Sequence, residues 1–436
     1  MPSKGKKNTK RKADTTSYGA GGQPGCRGLR SAGLSCFFNA VLQSLLSLKQ
    51  IQPFISSSHG PISSLFSTLY AEYWDPEESS SVLNPLSLYS SLCRFHPRFG
   101  DYGQHDSFEL FISLLSTLTN EQTKANSESK LETLFSFTLE SRLTCMCCGT
   151  KTKTNEPFIN LPLSIFNSSL RTRKPIPKRS KTTGKAKRNN RSYDLDTDNY
   201  DPITNSNLPD LSSLRISPPS PFSLSDSSLN SLILHFIYPE MLAGDNAAVC
   251  KVCTSRERKE QAKMIISQRS VHSRELVERA ERELEKKTLV SNESEDEGEG
   301  AKIPRSKLRR KPTLKQYVIN SNNLPEILTI QIKRFRNWGN FLTKDDTLVE
   351  FPEILNISDY TNPEQVYSYE EPNSTVYHLQ AVVSHSGSLN GGHYVAYTKC
   401  GDKWRYFSDS CYQEVSLERV LACEAYLLFY IKSACV

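Results

Sequence analysis

Two Cys-x-x-Cys pairs, Cys145/Cys148 and Cys250/Cys253, face each other across 102 positions of a 436-residue chain. A two-residue spacer lets both sulfurs of a pair point at one ion, and four thiolates bind zinc tetrahedrally. If the pairs share a metal, the chain between them must leave one point and return to it. The entropic cost of that closure grows only with the logarithm of length, so a long excursion adds little to it. With thiolate in all four positions, such a Zn²⁺ is structural and not catalytic. Cys147, inside the first pair, is a further candidate ligand, and the spacing does not choose between it and its neighbours.

The chain has 12 cysteines and a polar, basic start (MPSKGKKNTKRK). A start of that kind is not a secretory signal, so the cysteines are expected to serve metal binding, catalysis or packing in a reducing compartment, not a disulfide framework. No apolar run approaches the roughly 18 to 20 residues needed to span a bilayer, so no membrane partner is expected.

Hydrophobic residues make up 37%, low for a chain folded throughout. Charge locates the unfolded part. Of the net +7, residues 1–27 carry +6 and 171–191 carry +10, leaving −9 for the remainder. The remainder is therefore acidic on balance and is expected to suit a basic partner. The arms are basic, suited to weak nucleic-acid contact or to nuclear import, so the nucleus, the cytoplasm or both are the expected location. Residues 1–24 read as a disordered tail and 25–436 as one domain with two insertions. One covers about 167–230, rich in Ser, Pro and Lys. The other covers about 255–315, a charged helix followed by an acidic segment.

Local patterning places helices first and strands later. Phe37, Val41, Leu45 and Leu48 fall at helical spacing, so a buried helix starts at Ser35 or Cys36. Residues 106–118 (DSFELFISLLSTL) form a second helix. The alternation of Leu328, Ile330 and Ile332 with polar residues marks a half-buried strand, followed by strands at 378–383, 394–397, 404–407 and 425–431. That order implies α+β.

Chemistry concentrates at two places. In GLRSAGLSCFFNAVLQSL (28–45), Cys36 sits where a helix dipole and free N–H groups stabilise a thiolate and can hold an oxyanion. In GSLNGGHYVAYTKCGDKWRYFSDSC (387–411), His393 follows two glycines past which a thin substrate fits. The strand return brings Ser408 or Asp409 to its other ring nitrogen. A cysteine, a histidine and an orienting polar group make an activated thiolate.

Taken in order, these segments resemble the ubiquitin-specific protease family. The matching boxes are the cysteine box, Gln104-His105-Asp106-Ser107-Phe108-Glu109-Leu110, LPEILTIQIKRF (324–335) with VEFPEILNISDY (349–360), and GGHYVAYTK with WRYFSDS and AYLLFY (425–430). The resemblance implies a papain-like right hand: a helical thumb with Cys36, a β-sheet palm with His393, and zinc-tipped β fingers. It implies a deubiquitinase that cuts after the C-terminal glycine of ubiquitin, with ubiquitin and ubiquitinated proteins as partners. Gln104, Asp106, Glu109, Gly391 and Gly392 would line the path of the ubiquitin tail. Two positions depart from the family. Ser31 stands where an oxyanion-donating Asn is usual. Ser408 then Asp409 stand where Asp or Asn directly follows the aromatic. On charge, Asp409 is the preferred orienter of His393, because a carboxylate stabilises an imidazolium better than the Ser408 hydroxyl. The Ser31 departure also leaves room for a weakly active or inactive ubiquitin-binding scaffold of the same fold.

Overall fold

The computed structural model describes residues 24–56, 60–77, 82–101, 103–124, 131–165, 227–268, 282, 309–338, 341–361, 374–388 and 391–433. Most of the basic tail, residues 167–226 of the first expected insertion and most of 269–308 lie outside these. At the edges of the two insertions, the chain is already helical at Leu229 and in strand at Arg310.

The thumb is a group of helices, Cys36–Leu46, Gln52–Ser56, Pro61–Trp74, Leu86–Phe95 and Ser107–Lys124. Every residue of Cys36–Leu46 is buried, Asn39, Gln43 and Ser44 included, so the helix is enclosed on all sides. Ser107–Lys124 starts one residue later and ends six residues later than the apolar spacing indicated. Its Glu121 carboxylate accepts from the N–H groups of Ile62 (3.1 Å) and Ser63 (2.7 Å), capping the neighbouring helix Pro61–Trp74 from a distance.

The palm is an eight-stranded sheet. Its path runs Cys411–Val415, Lys403–Ser408, Gly391–Cys400, Val376–Ser388, Ala425–Lys432, Ile327–Lys333 and Leu161–Ser164, with Ile354–Asn356 also pairing Val376–Ser388. All neighbours are antiparallel except the last two strands of the path, which are parallel. The strands expected at 328–332, 378–383, 394–397, 404–407 and 425–431 are all present within these. The central strands read as continuous apolar runs such as AYLLFY because both faces are covered, and residues 425–430 are all buried.

The fingers are a four-stranded sheet in the order Lys151–Phe158, Phe137–Cys145, Thr313–Ile319, Glu240–Leu242. A two-stranded pair, Ala248–Val249 with Arg310–Lys311, lies beside the helix Lys251–Gln268. The fold is therefore the expected α+β right hand. Among the described residues, no helix is long and apolar enough to cross a membrane.

Candidate active site and cysteine cluster

Cys36 opens the first thumb helix, and that helix packs on the strand carrying His393. Ser35 occupies the N-cap position but does not cap the helix. Its hydroxyl instead accepts from the N–H of Ala32 at 2.8 Å, inside the preceding loop. The amides of Cys36 and Phe37 are close enough to the sulfur to favour its thiolate. The thiol is nevertheless pushed above its ordinary range. Burial is the largest cause, the N–H of Tyr394 opposes it, and the Asp409 carboxylate adds to the rise. Helix-start stabilisation therefore does not prevail in the resting site, where Cys36 is 4% exposed. Contact with the Tyr394 amide also sets the sulfur beside the peptide that joins Tyr394 to His393.

His393 is half-buried, and its Nε2 lies 2.8 Å from Ser408 Oγ. The hydrogen-bond partner of the ring is thus Ser408, and the preference for Asp409 does not hold in this geometry. The reason is backbone. The strand stays regular through Ser408, which pairs Cys411, and Asp409 then turns with φ 50°. That turn sends Asp409 Oδ1 to the side-chain amide of Asn39, which donates to it at 2.7 Å. The turn also docks on the segment leading to Cys36, since Leu29 N–H donates to Asp409 O at 2.8 Å. A Cβ on Gly28 would meet Ser410 O at 2.3 Å, so only glycine allows this approach.

The other expected residues are arranged less simply. Ser31 is exposed and its hydroxyl donates to Gly33 O at 2.9 Å within its own loop. Asp106 does not present its carboxylate to the cleft as a free anion. Oδ1 accepts from the N–H groups of Phe108 (2.7 Å) and Glu109 (3.2 Å), capping its helix, and Oδ2 accepts from Tyr426 at 2.5 Å. Burial pushes this carboxyl up despite those donors. Glu109 is exposed and pairs with Arg98 at 3.3 Å. Gln104 is bonded to Gly392, donating to its carbonyl at 2.6 Å and accepting from its N–H at 3.0 Å. Gly391 is exposed. Gly392 has no room for a side chain, because a Cβ there would meet His385 Nε2 at 2.1 Å.

Two residues escaped the sequence reading. Asn39, 3% exposed, ties the Cys36 helix to Asp409 and donates weakly to the carbonyls of Leu29 and Arg30 at 3.4 Å. The available signal was one amide in a helix otherwise apolar through its first two turns. His385, 2% exposed, underlies Gly392 and faces Tyr394 across the strand pair. Its mark was a second histidine beside a glycine, in SHSG, opposite the GGH run.

At the fingertip, Cys145, Cys148, Cys250 and Cys253 bring their sulfurs within 4.8 Å of one another. Cys145 Sγ is 3.7 Å from Cys253 Sγ, and Cys148 Sγ is 3.5 Å from Cys250 Sγ. Tetrahedral Zn–S bonds of about 2.3 Å require sulfurs roughly 3.8 Å apart, so the donor set and its spacing fit a metal ion. Cys147 is exposed and stands outside the cluster. The clustered thiols do not titrate alike. Burial pushes Cys250 and Cys253 up. Against the same push, Thr150 and the neighbouring thiols draw Cys148 down to about 6.

A family model described as ubiquitin carboxyl-terminal hydrolase matches residues 27–430. The chain is 24% identical to ubiquitin carboxyl-terminal hydrolase 2 of Homo sapiens over 450 residues, which is 93% of this chain and 55% of that protein. It is 43% identical to ubiquitin carboxyl-terminal hydrolase 12 of Saccharomyces cerevisiae over 112 residues, 25% of this chain and 9% of that protein. Where the match runs along nearly the whole chain, it spans about half the length of these relatives. A solved structure described as the SAGA Ubp8/Sgf11/Sus1/Sgf73 DUB module bound to ubiquitin aldehyde aligns with a TM-score of 0.59 at 20% identity. The alignment covers 97% of this chain and 72% of that one. That likeness is one of fold.

Proposed function

The chain belongs to the ubiquitin carboxyl-terminal hydrolase family, and we propose on that footing that it is a cysteine-type deubiquitinase acting on the bond after ubiquitin's C-terminal glycine. The observation that carries this reading is Cys36 at the start of a helix that packs on the strand bearing His393, a histidine whose Nε2 is fixed by Ser408. With Nε2 engaged, Nδ1 is the nitrogen left to take the thiol proton. For that, Nε2 carries the hydrogen and Ser408 Oγ accepts it. Because burial keeps Cys36 protonated, attack on the carbonyl is coupled to transfer of its proton to His393. The imidazolium then protonates the leaving amine, and water releases the thioester. The amides of Cys36 and Phe37 are the donors available to the oxyanion.

Ubiquitin is the proposed partner, supported by neighbours of this fold described as bound to it. In the fingers, Cys145, Cys148, Cys250 and Cys253 would hold Zn²⁺, which supplies a structural crosslink and has no open coordination position.

A ubiquitin derivative with an electrophile at its C-terminus tests the function. Intact mass and peptide mapping should find one ubiquitin on Cys36, and Cys36→Ala should form no adduct. Its folded mutant should also lose turnover of a ubiquitin–fluorophore substrate by on the order of 10⁴-fold or more. Wild-type protein that stays unmodified, or carries the adduct elsewhere, would sink the proposal.

A further inference from the structure

Among the described residues, no other strand covers one edge of the strand bearing His393. On one side Gly391–Cys400 pairs with Val376–Ser388 from Ser388↔Gly391 onward. On the other, Lys403–Ser408 pairs only as far as Ala396↔Phe407. The described pairings therefore leave the Gly391 to Val395 stretch without an outer neighbour. In an antiparallel strand the N–H and C=O of one residue point to the same side, and the side alternates along the chain. Gly392 and Tyr394 accordingly turn their peptide groups towards the thumb.

Thumb residues lie against both positions, and at Gly392 they hold the peptide groups by hydrogen bonds. The Tyr394 N–H faces the Cys36 sulfur. Gly392 exchanges two hydrogen bonds with the Gln104 amide, giving its N–H at 3.0 Å and receiving at its carbonyl at 2.6 Å. A primary amide bonded in this way replaces one residue of a neighbouring strand. His393 lies between the two held positions. Gln104 is itself well anchored, two residues before Asp106, which caps the Ser107–Lys124 helix and accepts from Tyr426 in the palm.

The backbone here needs holding. Gly391 and Gly392 carry no side chains, and Gly392 pairs Gly387, whose φ is 93°. Glycine backbone has the widest conformational freedom of any residue. No Cβ can be added at 392 to restrict it, because His385 fills that space. External hydrogen bonds are the remaining way to fix the peptide just before the histidine.

We infer that Gln104 is a positioning residue for His393, clamping Gly392 by two hydrogen bonds as a one-residue surrogate strand, and that it is not a contact for the substrate tail. This rests on Cys36 and His393 being the reacting pair proposed above. Loss of the clamp should displace the base from the thiol without changing the surface offered to substrate. A misplacement near 1 Å at a reacting group lowers rate by about 100-fold.

Gln104→Ala and Gln104→Glu separate the alternatives. The Glu variant keeps the side-chain size and the acceptor for Gly392 N–H but sets an oxygen against the Gly392 carbonyl. Two readouts are taken on full-length protein that melts as a folded domain. The first is kcat and KM on a ubiquitin–fluorophore substrate. The second is the pH profile of Cys36 alkylation by iodoacetamide, followed on the Cys36 peptide. The second needs no ubiquitin, so it remains decisive if the proposed activity fails. For both variants we expect kcat to fall about 10- to 100-fold with KM within a factor of about two. Alkylation near neutral pH should slow as well, its profile moving towards that of a thiol lacking a base. A raised KM with unchanged kcat, together with an alkylation profile that overlays wild type, would overturn the inference and return Gln104 to the substrate. Should Gln104→Ala not fold, Gln104→Glu alone decides by the same two readouts.

Discussion

At the fingertip, four sulfurs from two distant segments meet within 4.8 Å, and all four bring the same chemistry. In the cleft, Cys36 and His393 also come from distant segments, but each neighbour there does something different. Ser408 holds a ring nitrogen, Asn39 holds Asp409, and Gln104 holds a peptide. The cluster is specified by residue type and spacing, because any arrangement bringing the four thiols together gives much the same donor set. The cleft is specified by backbone direction, since turning one residue exchanges the partners of Ser408 and Asp409. The first kind of site should fail as a loss of stability, and the second as a loss of rate.

The largest effect should come from the fingertip. Cys250→Ser removes one donor of the set proposed to hold zinc, for which about one ion per chain is expected, and loss of a metal site is among the few single changes that cost on the order of 4 kcal/mol. Metal analysis and thermal melting check this, and Cys36 alkylation should be unchanged. A metal-free wild type, or a mutant melting like wild type, would break the contrast between the sites.

The next effect is a pH dependence located under the cleft. Burial first, and the Lys344 ammonium second, hold His385 down to about 4 from an ordinary 6.5. Between those values the unfolded chain binds more protons than the folded one. Stability is therefore fully present above pH 6.5 and falls as pH drops through the window. At about 1.4 kcal/mol per unit the loss is roughly 3 kcal/mol. His385→Gln should flatten this part of the urea-midpoint profile, and an unchanged slope would assign it to other groups.

A smaller effect separates the two neighbours at the strand end. Ser408→Ala removes the hydrogen-bond partner of His393 Nε2 and should lower kcat about tenfold, near the 1 kcal/mol of one hydrogen bond. Asp409→Asn keeps an oxygen for Asn39 and should change kcat by less than about threefold. The reverse order would restore Asp409 as the orienting group. Smallest of all, Ser31→Ala should alter kcat by less than about twofold, since that hydroxyl is committed to Gly33 O. A drop of tenfold or more would place Ser31 on the oxyanion after all.

Much of this was legible because it depends on periodicity. The Cys36 helix, the palm strands and the four thiols all follow from spacing. What was not legible depends on which atom a polar group meets across the fold. Asp106 reads equally well as a substrate anion or a helix cap, and only the Tyr426 hydroxyl and two backbone amides decide for the cap. Ser408 and Asp409 differ by a single φ of 50°, which no composition rule predicts. Asn39 and Gln104 act through hydrogen bonds to partners hundreds of positions away.

The order of strands in the palm carries a further consequence, for how the chain is made. Ala425–Lys432 follows every other strand in sequence, yet it lies in the interior of the sheet, between Val376–Ser388 and Ile327–Lys333. In a nascent chain the Cys36 segment is made ahead of every palm strand. Cys36 is therefore synthesised long before the strand that joins the two halves of the palm. Until that strand inserts, no strand pairing joins the His393 half to the Ile327–Lys333 half, and unpaired edges of that kind are prone to aggregate. The pairings that close the sheet join residues distant in sequence, Ile327 with Ile431 among them, and non-local contacts of this kind predict slow assembly. The palm behind the cleft would thus be completed only after translation has passed residue 432, so that a chain stopped short of that point carries the Cys36 thiol without the strand that closes the sheet.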